Sequence, residues 1–185
     1  MFGMKRTWFV AAGAMLCVGL LPGAASAQSP LVGDGAVAAA CRPWMQDGTE
    51  AAVTLSSDGT YGGYYAEIDA TGTYYLNCPL QLEDGQWYDT VRLWAQDSVA
   101  SSGYVRAIVY QVDRTTGATT KPQVEDGQTW CDLSTSTSGF QEYTDGCVFY
   151  SDTGRYSYYA LITLYRSVTT DELRFYSVMM TFTFG

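Results

Sequence analysis

Four cysteines in a chain marked for export constrain this fold more than any other feature. Met1–Ala27 has the layout of a cleavable secretory signal. Lys5 and Arg6 open it, and Thr7 to Leu21 is an apolar run short for a bilayer span. Pro22 and Gly23 break the run before an Ala25-Ser26-Ala27 cleavage site. Cleavage there starts the mature chain at Gln28 and delivers it to an oxidising compartment, secreted or periplasmic. Cys17 leaves with the signal. Cys41, Cys78, Cys131 and Cys147 remain, and an even count outside the cytoplasm predicts two disulfides. Three pairings are possible. The sequential one, Cys41–Cys78 with Cys131–Cys147, is expected because it links neighbours in strand order. Spacing argues against a redox or metal role, since the chain has no C-x-x-C and no histidine.

Removing 27 of the 185 residues leaves 158, the length of one ordinary domain. The expected organisation is a signal at 1–27, a loosely ordered lead-in at 28–40 and a single domain at 41–185. The formal charge of the whole chain is −9. Loss of Lys5 and Arg6 leaves eight cations against 19 acids, or −11. A surface this acidic repels nucleic acid and disfavours anionic membranes.

From Ala52 onward the chain reads as strands and turns. Strand signals cover Ala52–Leu55, Tyr61–Ile68, Thr73–Cys78, Asp89–Gln96 and Tyr104–Val112. Further signals are Pro122–Val124, Thr129–Leu133, Cys147–Tyr150, Ser157–Arg166 and Leu173–Phe184. Pro79 is expected to end its strand or push it to an edge. Turn chemistry separates them, with Glu-Asp-Gly-Gln at 83–86 and again at 125–128. No segment holds a helical apolar period. Eight to ten short strands predict an all-β, antiparallel sandwich, jelly-roll-like.

The early Cys41, a strand ending in Cys78-Pro79, the V-x-L-x-A-x-D run from Val91 to Asp97 and the later cysteine pair carry a resemblance. Together they resemble small exported β-rich, disulfide-containing proteins of proteobacteria, a group to which no activity is assigned. The resemblance implies one disulfide-bearing sandwich and carries over no catalytic residues.

The missing histidine removes Ser-His-Asp and Cys-His mechanisms and the usual zinc sites. No G-x-S-x-G elbow or phosphate-cradling loop is present. Asp152-Thr153-Gly154 matches the D-T-G of aspartic proteases, but a single copy followed by Arg155 reads as a turn. Glu83-Asp84 and Glu125-Asp126 read as solvated turns rather than calcium loops. No catalytic residue, metal or cofactor is assigned. Trp87, Tyr88, Trp94 and Trp130 are the candidate ligand-binding residues, because flat rings with a polar edge suit stacking on sugars. Trp94 stands out, since it shares a strand face with Arg92 and Gln96, opposite Val91, Leu93 and Ala95. The expectation is a non-catalytic binding or structural module with a polysaccharide or envelope surface as partner. A small carboxylate-dependent glycosidase or lyase is one alternative. An outer-membrane β-barrel is another, suggested by the alternating Tyr176, Val178, Met180, Phe182 and Phe184.

Overall fold

A strand that alternates like Val91–Gln96 has one face to bury. The structure is a computed structural model describing residues 33–44, 53–58, 63–98, 101–123 and 131–182. It buries such faces between two antiparallel sheets. Sheet A contains β1 (Gly33–Val37), β3 (Val53–Asp58), β4 (Gly63–Ile68), β6 (Trp87–Asp97), β10 (Gly139–Tyr150) and β12 (Leu173–Thr181). Sheet B contains β2 (Arg42–Pro43), β5 (Gly72–Leu80), β7 (Gly103–Asp113), β8 (Thr119–Thr120), β9 (Asp132–Ser134) and β11 (Tyr156–Arg166). Sheet A runs β10-β6-β12-β4-β3, with β1 also on β12. Sheet B runs β2-β5-β11-β7-β8, with β9 also on β7.

The core fills the space between them. Sheet A contributes Val91, Leu93, Phe175, Val178 and Met180, and sheet B contributes Leu76, Val105, Val109, Ile162 and Leu164. Burial of each such side chain is worth roughly 1.5–3 kcal/mol. Asp97 completes the inward alternation of β6. It is fully buried and accepts the Thr135 hydroxyl at 2.9 Å, while that oxygen accepts the Val105 N–H at 3.0 Å. The fold is therefore the expected all-β sandwich. The barrel alternative does not hold: Val178 and Met180 point into the protein core, and the strands form two separate sheets.

Both disulfides follow the sequential pairing, Cys41–Cys78 and Cys131–Cys147. Cys41 follows β1 and a 3-10 turn at Ala38–Ala40, so its bond to β5 fixes the crossing from sheet A to sheet B. Cys131 precedes β9 and Cys147 lies in β10, so the second bond ties the two sheets along one flank.

Four segments differ from the sequence reading. Residues 33–37 of the expected loose lead-in form β1, in register from Gly33 opposite Thr181 to Val37 opposite Ser177. A side chain at Gly35 would run into the Val178 carbonyl, so the small residue that looked like loop composition permits close pairing. β5 continues through Pro79 to Leu80. Among the described residues β2 pairs only with Asn77 and Leu76, which leaves Pro79 with a partner strand on one side. β10 begins at Gly139, eight residues earlier than its apolar signal. Its polar stretch forms the rim of sheet A, where exposed Glu142 and Asp145 discourage edge-to-edge pairing. Thr119–Thr120 supplies the short strand beside β7; Pro122 and Gln123 of the expected edge strand are not in a strand, and Val124 lies outside the described residues.

Candidate binding face

The outward side of sheet A is assembled from side chains that its core positions turn to solvent. On β6 these are Arg92, Trp94 and Gln96. Strand register places Trp94 between Glu142 of β10 and Ser177 of β12, and Phe140 opposite Gln96. The β6–β12 register shifts between Phe175 and Ser177. Phe175 stays in the core, while Tyr176 packs edge-on against Phe140 at 5.0 Å and tilts over Tyr65 at 5.6 Å.

An open hollow of about 420 Å³ on this face is lined chiefly by Trp94, Phe140, Tyr176, Met179, Tyr64 and Val37. Tyr64 and Val37 are 61% and 58% exposed and form its rim. Polar groups border the rings and are held in place. The Tyr176 hydroxyl donates to Gln96 Oε1 at 3.4 Å, as does Arg174 Nη1. Arg174 also pairs with Glu67 at 3.7 Å and Glu172 at 3.6 Å, and its guanidinium lies 4.5 Å from the centre of the Tyr65 ring. Arg92 Nη1 donates to Glu142 Oε1 at 2.5 Å. An apolar hollow of this size with a few oriented polar groups suits the flat face of a small ring.

Of the four ring residues singled out in the sequence, Trp94 lines the cavity. Trp87 is exposed and pairs with Tyr150 at 5.3 Å. It lies seven residues along β6 from Trp94, about 23 Å at strand rise. Tyr88 faces inward: it is fully buried, stacks on Phe149 at 5.8 Å, and its hydroxyl accepts the Glu83 N–H at 2.9 Å. Trp130 and the second Glu-Asp-Gly-Gln turn lie outside the described residues. The Asp152-Thr153-Gly154 segment is a turn, in which Asp152 Oδ1 accepts the Arg155 N–H at 3.0 Å. Among the described residues no group of three His, Cys, Asp or Glu side chains is placed to hold a metal. Phe140 and Met179 escaped the sequence reading, and Tyr176 entered it only as part of the barrel alternative. Phe140 sits in a serine- and threonine-rich stretch, and the shift beside Tyr176 breaks the alternation that pattern reading assumes.

No family model matches this sequence, and no curated protein matches it. Among solved structures, the chain is similar to the CBM22-1–GH10 modules of Clostridium thermocellum xylanase 10B complexed with xylohexaose. The identity is 12%, with a TM-score of 0.52 over 84% of this chain and 29% of that one. It is also similar to a β-1,3-glucan binding CBM6 from Bacillus halodurans, at 10% identity, TM-score 0.48, over 80% of this chain and 95% of that one. The enzymatically active domain of bacteriophage CBA120 tailspike protein 4 matches at 13% identity and TM-score 0.49, over 78% of this chain and 20% of that one. The chain thus spans well under half of the xylanase and tailspike chains. The likeness to the xylanase modules is one of fold.

Proposed function

We propose that this protein is a non-catalytic carbohydrate-binding module that works outside the cytoplasm, with a sugar ring seated in the sheet A cavity. The observation that carries the reading is Trp94, which lines an apolar hollow together with Phe140, Tyr176 and Met179. Strand pairing on both sides of β6 fixes its backbone before any ligand arrives, which lowers the ordering cost of binding. The likeness in fold to xylanase modules complexed with xylohexaose makes xylan a first probe, and β-1,3-glucan is taken beside it as a second neutral polymer. The two disulfides agree with an oxidising compartment. Hydrolysis would need a pair of carboxylates at the sugar ring, and among the described residues none lines the cavity, which favours a binding role.

The test is retention on β-1,3-glucan and xylan, followed by titration with their soluble oligosaccharides. Trp94→Ala is expected to weaken binding at least tenfold, about 1.4 kcal/mol, while the thermal midpoint stays near wild type. Retention on neither polymer, or a Trp94→Ala variant that binds as wild type does, overturns the proposal.

A further inference from the structure

Charge is divided unevenly between the two sheets. The strands of sheet A carry seven acids and two arginines. Those of sheet B carry two acids and three arginines, in a chain whose overall charge is −9. The outward face of sheet B also carries a row of aromatic rings. Trp44 follows β2, where its N–H donates to the Tyr75 carbonyl at 2.8 Å, and it is 41% exposed. Its ring lies 6.1 Å from that of Tyr159, which stacks on Tyr110 at 5.4 Å and 17°. Tyr159, itself backed by Tyr110, therefore supports the Trp44 ring, which stays partly open to solvent.

Two guanidinium groups flank this row. Arg42 is exposed and precedes Trp44 by two residues, on the same side of the strand. Arg114 Nε donates to the Ser157 hydroxyl at 3.0 Å, two residues from Tyr159 on β11. Among the described residues neither arginine forms an ion pair. Among the described residues, the acids carried by the sheet B strands are engaged: Asp132 accepts two bonds from Arg106, and Asp113 pairs with Arg155 at 3.2 Å. Burial, the main cause, pushes the Tyr159 hydroxyl above the ordinary tyrosine range, so it adds no negative charge. The exposed acids of sheet A lie on the far side of a core about 10 Å thick, which leaves Arg42 and Arg114 as the nearest charges without an ion pair among the described residues of this face.

We propose that the outward face of sheet B is a second binding site, for a polysaccharide whose sugar rings carry carboxylates. A ring lies against Trp44, and its carboxylates meet Arg42 and Arg114, whose planar forks match carboxylate geometry. The site shares no residue with the sheet A cavity and does not depend on it.

The experiment is titration of the disulfide-intact protein with polygalacturonate and with its fully methyl-esterified form, which keeps the rings and removes the charge. Wild type is expected to bind the acid form at least tenfold more tightly than the ester, with the difference shrinking as salt is raised. The double variant Arg42→Gln/Arg114→Gln and the single variant Trp44→Ala should each lose at least tenfold for the acid form. Arg42→Lys/Arg114→Lys, which keeps the charge, should recover part of that loss. Thermal midpoints of all variants confirm that they are folded. Absence of binding to polygalacturonate, equal binding of acid and ester, or wild-type affinity in the glutamine variant overturns the proposal.

Discussion

Asp84 fastens one turn to another through a single oxygen. Its Oδ1 accepts the backbone N–H of Thr153 at 2.7 Å and the Thr153 hydroxyl at 3.0 Å, which docks the Glu83–Gln86 turn onto the Asp152–Arg155 turn. Ser151 completes the joint, with its hydroxyl accepting the Gln86 N–H at 3.1 Å. The Thr153 hydrogen bonds hold the Asp84 carboxyl below the ordinary aspartate range. A depressed folded-state value means that the carboxylate adds stability above the unfolded value of about 3.9 and loses it as pH falls through the folded one. In Asp84→Asn the shape remains and the charge is gone. Thermal midpoints measured from pH 7 to pH 2.5 should show wild type above the variant at neutral pH, with the gap closing below about pH 4. A gap that is unchanged at low pH contradicts this account. The sequence showed both turns, through Asp-Gly and Asp-Thr-Gly, but gave no sign that they touch. Contact between segments 69 positions apart is set by the strands that carry them.

At the scale of elements, the strands that sequence pattern located best are those with the most apolar residues. β7 and β11 appear almost as read, because Tyr104–Val112 and Ser157–Arg166 are apolar enough to stand apart from the turns around them. β1 and the first half of β10 did not stand apart. β1 is built of Gly, Ala, Asp and Val, and β10 opens with polar residues whose role is to close an edge. In both, strand identity comes from the partner: β12 for β1 and β6 for β10. The cysteines were the clearest long-range signal, and their structural effect can be put in numbers. Sequence separations of 16 and 37 residues give about 3 and about 4 kcal/mol in the loop-entropy treatment. Replacing Cys131 and Cys147 together by alanine should lower the unfolding free energy by about 3 kcal/mol in denaturant titrations. Replacing Cys41 and Cys78 should cost about 4 kcal/mol. Unfolding curves that overlay wild type show that neither bond constrains the unfolded chain.

At the scale of the whole molecule, a two-sheet sandwich has two broad outward faces that point away from each other. Sheet A turns an apolar cavity with neutralised charges to one side. Sheet B turns an aromatic row to the other, flanked by Arg42 and Arg114, which form no ion pair among the described residues. Sequence alternation exposed the Trp94 side, because only β6 alternates cleanly enough to separate its faces. It concealed the sheet B side, because β11 is apolar on both faces: Ile162 and Leu164 enter the core, while Tyr159 and Tyr165 pack against Tyr110 and Tyr104 across the strand pair. With the core between the two faces, one short sugar chain cannot occupy both, and each face is free to take its own. A single protein molecule should then join two different polymers. Protein loaded on an immobilised neutral glucan is expected to capture labelled polygalacturonate, and glucan without protein is not. Trp94→Ala should fail at the loading step, whereas Arg42→Gln/Arg114→Gln should load normally and fail at capture. The joining is stoichiometric, so excess free protein should suppress it by occupying each polymer separately. Competition between the two polymers for one protein molecule, in place of capture, shows instead that a single face serves both.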